Sequence, residues 1–223
     1  MRAKLSVVIP TLNAADGLER SLPALAEGLG LGLIRELVIS DGGSTDATLA
    51  IAEAAGAEVV QGPASRGGQL RRGAAAAKGE WLLFLHADTV LPTGWADCVI
   101  GHLPGGRPAF FRLRFDTSSV PARIVAAWAN MRARWFGLPY GDQALLVSRD
   151  AYDRSGGYPD IPLMEDVALV RRLEGRLVCL PLEVTTSAQK YRRDGWFRRG
   201  ARNLSLLLRY LLGADPERLA RRY

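Results

Sequence analysis

Three clusters of acidic residues in the 223-residue chain have the types and spacing to do chemistry. The first is His86-Ala87-Asp88-Thr89, directly after Trp81-Leu82-Leu83-Phe84-Leu85. That run is apolar on both faces and reads as a strand buried in mid-sheet. A carboxylate at the C-terminal edge of such a strand sits where open α/β sheets hold ligands. Burying it bare is costly, so it must be hydrogen-bonded, paired or bound to a cation. We read Asp88 as a ligand of a divalent ion that bridges to phosphate. The plainer alternative is a cap for a helix beginning near Thr93, or for a turn before it. The second cluster is Asp41-Gly42-Gly43-Ser44-Thr45-Asp46, after Val38-Ile39-Ser40. Its glycines allow a tight turn, and Asp41 can accept from a base N–H or a ribose hydroxyl. Ser44 or Thr45 suits a helix N-cap and Asp46 the positive end of that helix. Neither GxGxxG nor GxxxxGK[ST] is present, so it is no dinucleotide fingerprint and no P-loop. The third is Glu165-Asp166. One carboxylate of such a pair can take a proton from an attacking hydroxyl, its pKa raised by the other or by desolvation. The alternative is two helix-N-terminal acids that favour the dipole.

The elements that must position these groups follow from the patterning. Strand-like runs at 5–10, 37–40, 58–61 and 81–85 alternate with helical patterns at 16–29, 45–55 and 67–78. This order predicts an α/β domain with a mostly parallel central sheet and helices on both faces. Pro10 and Thr11 end the first strand and expose backbone groups at the ligand edge, followed by Asn13. Alanines 74–77 favour a helix that Gly79 stops. Further on, 108–115 reads as a strand, running antiparallel. Ser118 or Ser119 caps a helix with Pro121 in its first turn and Ile124, Trp128, Met131 and Trp135 along one face. Strands at 144–148 and 176–182 and a helix at 163–173 complete the fold. A last helix, 195–212, carries Phe197, Ala201, Leu204, Leu208 and Leu211 on one face, with Leu206, Leu207 and Tyr210 elsewhere. With no repeat or linker, we expect one domain, 1–223, ending in basic amphipathic helices.

The apolar fraction of 48% and charged fraction of 23% are those of a globular protein with a sizeable core. Cys98 and Cys179 lie far apart without CxxC spacing, so a disulfide or zinc site is not expected and a reducing cytoplasm is. The first apolar run is too short for a signal peptide, and no run reaches a membrane span. The net charge of +6 is concentrated late, where Lys190, Arg192, Arg193, Arg198, Arg199, Arg202, Arg209, Arg218, Arg221 and Arg222 face only Asp194, Asp215 and Glu217. That gradient favours a polyanionic partner, or is a solvated basic face. The aromatic residues of the tail are spaced for packing, so nucleic acid is not expected.

Taken together, Val8-Ile9-Pro10-Thr11-Leu12-Asn13, Asp41 to Asp46, the helix end Gly73…Ala77-Lys78-Gly79-Glu80, and His86-Ala87-Asp88 resemble the family 2 glycosyltransferases of GT-A fold. Glu165-Asp166 extends the likeness to about residue 170. His-Ala-Asp-Thr stands in place of the family's Asp-x-Asp. The processive branch's Gln-x-x-Arg-Trp is missing, so the resemblance implies one transfer per encounter. It implies an inverting, metal-assisted enzyme that moves a sugar from a nucleoside-diphosphate sugar to a hydroxyl acceptor. The donor site would comprise Pro10, Thr11, Asn13, Asp41, Gly42, Arg66, Gln69, His86, Ala87 and Asp88. Thr11 and Asp41 would meet base and ribose, and Asp88 would hold Mg²⁺ or Mn²⁺ against the diphosphate. His86 takes the first acid's place, as a metal ligand or as a hydrogen-bond partner of ribose or a carboxylate. Arg66 and Gln69 would bind base or phosphate, with an ordinary surface pair as the alternative. Asp166 would be the general base and Glu165 its orienting neighbour. Gly141, Asp142 and Gln143 would line the acceptor side, unless they form only a turn. In this reading 1–115 binds the donor, 116–194 the acceptor, and 195–223 is a helical extension. The basic tail could lie on the inner face of an anionic membrane and present a lipid-linked acceptor. The rival readings are a nucleotidyltransferase on a similar sheet and a non-catalytic nucleotide-sugar-binding or membrane-docked scaffold.

Overall fold

The computed structural model describes residues 3–221; Arg222, which belongs to the basic gradient above, lies outside them. Its centre is an eight-stranded sheet. The strands are β1 (Leu5–Thr11), β2 (Ile34–Asp41), β3 (Glu58–Gln61), β4 (Trp81–Phe84), β5 (Thr89–Val90), β6 (Ala109–Phe115), β7 (Leu145–Ser148) and β8 (Val178–Thr186). Their order is β3-β2-β1-β4-β7-β6-β8-β5. β1 to β4 are mutually parallel, and only β7 and β5 run against the rest. The strand expected over 108–115 is therefore antiparallel to β7 but parallel to β8.

Alternate residues of the central strands feed two separate cores, which explains why β1 and β4 are apolar on both faces. Val7, Ile9 and Leu83 pack on one side with α1 (Ala15–Ser21), α2 (Ala26–Gly30), α5 (Trp95–His102) and α6 (Val120–Phe136). Val8, Leu82 and Phe84 pack on the other with α4 (Arg66–Ala76), α7 (Arg149–Arg154), α8 (Glu165–Val170) and α10 (Trp196–Leu211). Each such fully buried side chain contributes about 1.5–3 kcal/mol. The remaining helices are α3 (Thr48–Ala54), α9 (Gln189–Asp194) and α11 (Pro216–Ala220).

Several local expectations are corrected. The helix expected over 16–29 is interrupted by a 3₁₀ turn at Leu22–Leu25, where Pro23 lacks the N–H needed to continue the α pattern. Gly79 does not stop α4, which ends at Ala76; it lets the chain cross β1, since a Cβ there would stand 2.6 Å from the Lys4 carbonyl oxygen. α3 begins at Thr48 after Ala47, so neither Ser44 nor Thr45 is its N-cap; Asp46 accepts from the Thr48 amide at 3.0 Å. Ser119 stands at the N-cap of α6 without a side-chain hydrogen bond. The face of α6 with Ile124, Trp128 and Trp135 is exposed, while Ala122, Ala126, Ala129 and Ala133 face the core. The same inversion holds in α10, where Leu206 and Leu207 are buried and Phe197, Leu208 and Leu211 are exposed. No helix among the described residues is long and apolar enough to cross a membrane.

Candidate active site

The C-terminal tips of β1, β2 and β4 open onto a cleft of ≈ 760 Å³, closed on the far side by the 3₁₀ turn Gly141–Gln143, α8 and the start of α10. The β2 tip is a closed knot. Asp41, fully buried, accepts from Thr11 Oγ1 at 2.9 Å, Ser44 Oγ at 2.6 Å, and the Gly43 and Ser44 amides at 2.8 Å each. Burial alone would raise its pKa, but these hydrogen bonds outweigh that and hold the carboxyl below its ordinary range. Asn13, at φ 48°, joins the same knot, its amide donating to Ser44 Oγ at 2.8 Å and its Oδ1 accepting from the Thr45 amide at 2.9 Å. Buried Gln69 straps the strands together, donating to the carbonyls of Thr11 at 2.6 Å and Ser40 at 3.1 Å. Gly42 lies against the Gln69 amide at Cβ distances of 3.1 Å. Pro10, Thr11, Asn13 and Gln69 line the cleft; Asp41 and Gly42 stand behind its wall.

The β4 tip is built differently. After Phe84 the chain turns, with the Thr89 amide donating to the His86 carbonyl at 3.0 Å. Thr89 then pairs with Thr186 of β8. Gly17 of α1 presses on the other side, where a Cβ would lie 2.9 Å from the Ala87 carbonyl oxygen. The loop is thus held by backbone, leaving its side chains to the cleft. Among the described residues the Asp88 carboxylate makes no side-chain hydrogen bond or ion pair. It does not cap the next helix: Glu27 takes that role, accepting from the Gly94 and Ala96 amides at 2.9 Å each. The His86 imidazole turns toward the opposite wall, and a Cβ on Gly141 would collide with its Nε2. Withdrawal from water, then the Arg66 charge, push His86 down to about 4, with Asp166 opposing, so the ring is neutral at pH 7.

That opposite wall carries acids whose oxygens are not used up. Met164, at φ 67°, turns the chain so that Glu165 and Asp166 enter α8 facing inward. Asp166 Oδ2 accepts from the Gly141 amide at 2.8 Å, while its Oδ1 is buried without a hydrogen-bond partner. Burial, then the Asp166 charge, push Glu165 up to about 8, with Arg66 opposing from 4.0 Å. Arg66 is held there by Gly67 and Gly68, which bring α4 against residues 159–161, and by Ser65, which donates to Asp160 at 2.5 Å. Asp142 also has a buried Oδ1 without a partner. Its pKa is pushed up to about 6, by burial first, with Asp166 and Asp88 adding and Arg132 opposing. Gln143 is fully buried outside the cleft, bonded to the Phe111 carbonyl and Asn130 at 3.3 Å each.

Three cleft residues escape any reading of local motifs. Arg132, buried in α6, stacks its guanidinium 3.5 Å over Tyr140 and donates to the Leu138 carbonyl at 2.9 Å. Lys190, after β8, lines the cleft and places a positive charge that acts on Asp88 and His86. Buried Arg199 of α10 lines it too, bonded to Asp194 at 2.6 Å. Lys190 and Arg199 carry only the general signal of the late basic gradient, and Arg132, inside a helix, carries none.

A family profile described as Glycosyl transferase family 2 matches residues 6–130. The chain belongs to that family. The glucosyl-3-phosphoglycerate synthase of Mycolicibacterium smegmatis is 36% identical to this family 2 chain over 97 residues, which are 40% of the chain and 32% of that protein. The chain thus spans about a third of the curated relative it matches. Among solved structures, the mannosyltransferase PcManGT from Pyrobaculum calidifontis, in complex with GDP-Man and Mn²⁺, has a TM-score of 0.69 at 17% identity, covering 97% of this chain and 66% of that one. The glucosyl-3-phosphoglycerate synthase from Mycobacterium tuberculosis, in complex with Mn²⁺, UDP and phosphoglyceric acid, has a TM-score of 0.58 at 24% identity, covering 83% and 69%. At these identities the likeness is one of fold, and the fold is the GT-A arrangement expected from the motifs.

Proposed function

We propose that this family 2 chain is an inverting glycosyltransferase that moves a sugar from a nucleoside-diphosphate sugar to a hydroxyl acceptor. The observation that carries the reading is the Asp166 carboxylate. One oxygen is fixed by the Gly141 amide, and the other is buried, without a partner, in the same cleft as Asp88. An acid so placed has one oxygen for orientation and one for a proton. In the reaction the acceptor oxygen attacks the anomeric carbon, and the bond from that carbon to the β-phosphate oxygen breaks. The acceptor proton passes to Asp166 Oδ1, and the electron pair of the broken bond leaves on the diphosphate.

The donor set fits a hard divalent ion in one respect that the structure shows: Asp88 offers a cleft-facing carboxylate without a side-chain partner among the described residues. No group of three His, Cys, Asp or Glu side chains able to hold a metal occurs among them, so Mg²⁺ or Mn²⁺ would complete its shell from diphosphate and water oxygens. Bound there, the ion would supply Lewis-acid charge to the leaving diphosphate. PcManGT and the mycobacterial synthase, solved with Mn²⁺, support this reading. Lys190, whose charge acts on Asp88, and Arg66, beside Glu165, add fixed positive charge to the cleft. His86, neutral and turned toward Gly141, belongs with the base rather than the ion.

In this reading residues 1–115 hold the donor, with Pro10, Thr11, Asn13 and Gln69 shaping the pocket for base and ribose. Residues 116–194 receive the acceptor beside Gly141 and Asp142, and 195–223 are the extension, helical over Trp196–Leu211 and Pro216–Ala220. The free Cys98 and Cys179 fit a cytoplasmic setting. The test is Asp166→Asn, assayed by transfer and by calorimetric donor binding with Mn²⁺, across a panel of nucleotide sugars. Lost transfer with intact donor binding is expected; near-normal transfer would remove Asp166 from the role of base.

A further inference from the structure

The exposed apolar side chains of this protein are not scattered. Among the described residues, every large one except Leu12, Leu29 and Leu31 lies on α6, on α10 or one residue beyond it. α10 packs against α6. On α6 they are Val120, Ile124, Trp128, Trp135 and Phe136, and on α10 Phe197, Leu208 and Leu211, with Leu212 following. Steps of four and seven residues put Val120, Ile124, Trp128 and Trp135 on one face of α6, and steps of eleven and three put Phe197, Leu208 and Leu211 on one face of α10. In both helices the inward residues are different ones, so neither apolar face is needed for the core. α10 is anchored without its outer face: Trp196 stacks on Tyr191, and both meet Phe115 edge-on at 5.0 Å.

We propose that α6 and α10 together form one docking face for an anionic lipid bilayer. Neither segment contains an Asp or Glu, and Arg123, Arg134, Arg198 and Arg209 are exposed beside the apolar stripes. Arginine flanking tryptophan and phenylalanine is the composition of a helix lying in the headgroup region. A two-fold contact with a second copy would set arginine rows of one sign against each other, which disfavours that occupant. The face also borders the cleft, since Trp128 of α6 and Leu204 of α10 line it. Docked this way, the mouth of the cleft meets the headgroup layer, and the acceptor class is a hydroxyl carried on a lipid. That last step rests on the transfer reading; the docking itself does not.

The test uses the full chain with vesicles of equal parts phosphatidylglycerol and phosphatidylcholine, and with phosphatidylcholine alone. Co-sedimentation is expected with the anionic vesicles and at least tenfold weaker with the neutral ones. Trp135→Ser with Phe136→Ser, and separately Phe197→Ser with Leu208→Ser, should each weaken binding at least tenfold. Arg198→Ala with Arg209→Ala should weaken it about 25-fold, roughly fivefold per arginine. The melting temperature of each variant should stay at the wild-type value, because the replaced side chains face solvent. No binding to anionic vesicles would overturn the proposal. So would binding that the α6 pair leaves intact, or a dimer in sedimentation velocity that the α6 pair dissolves. Transfer to a soluble acceptor, which these variants should retain, is scored separately. Docking without transfer sinks only the enzymatic reading, and transfer without docking sinks only the membrane face.

Discussion

The β2 tip and the α8 wall both bury acids at the same cleft, yet they treat them in opposite ways. Asp41 receives four hydrogen bonds from its own loop and the neighbouring strand, and its pKa falls. Asp166, Asp142 and Glu165 each keep an oxygen that accepts none, and the pKa values of Glu165 and Asp142 rise. A carboxylate that is saturated shapes its surroundings; one that is left short in low dielectric is poised to take a proton or a ligand. The contrast assigns shape to the β2 tip and chemistry to the α8 wall, although the local sequence marks both simply as acids at an edge.

The largest effect expected from this contrast is on the α8 side. Asp166→Asn keeps an oxygen for the Gly141 amide but cannot accept the acceptor's proton, so transfer should fall about 10²- to 10⁴-fold with the fold intact. Asp88→Ala should also abolish transfer, but together with Mn²⁺-dependent donor binding, and calorimetry separates the two. Asp41→Ala tests the other side. It strands buried donors on Thr11, Gly43 and Ser44 and should cost about 2–4 kcal/mol in urea unfolding. Should Asp41→Asn instead melt like the wild type and raise only the donor KM, the β2 tip would be a ligand site and the contrast would break. Gly141→Ala comes next. Its methyl would meet the His86 imidazole and stand 3.1 Å from Asp166 Oδ2, displacing the carboxylate proposed as the base. Transfer should drop at least about tenfold, with donor affinity unchanged.

How much of this was legible beforehand varies with the kind of signal. β1, β2 and β4 were plain because strands covered on both faces are apolar throughout, and their tips marked the ligand edge. The outward turn of the apolar faces of α6 and α10 is not legible, for the opposite reason. An apolar stripe normally turns inward, and nothing local shows that alanines pack α6 to the sheet while tryptophans face out. The site beyond the tips is assembled from afar. Gly141 meets His86 and Asp166 across long stretches of chain, and Arg132 and Lys190 arrive from elements with no motif. That His86 reaches the Gly141 turn beside Asp166 depends on Gly141 having no side chain, which spacing along the chain cannot reveal.

The smallest effect is thermodynamic, and it reads the α8 wall without any substrate. The ordinary pKa of a glutamate is 4.5, and in the fold Glu165 lies at about 8 because burial and Asp166 penalise its charge. Between those values the unfolded chain releases a proton that the folded chain keeps. The stabilising contribution is complete below pH 4.5 and drains away as pH climbs toward 8, by at most about 1.4 kcal/mol per pH unit. Asp142 acts in the same direction from its ordinary 3.8 up to about 6. His86, held down at about 4 from its ordinary 6.5, opposes them below pH 6.5, so the melting temperature should decline most clearly from pH 6.5 to pH 8, in the opposite sense to Asp41 and Asp46, whose lowered pKa values weaken the fold only in acid. Glu165→Gln removes the titration while keeping the shape, so above pH 6 its melting curve should be flatter than that of the wild type. If the slopes coincide, Glu165 is ionised in the fold. Arg66 would then outweigh burial, and the wall would be an ion pair rather than a reserve of unsatisfied acid.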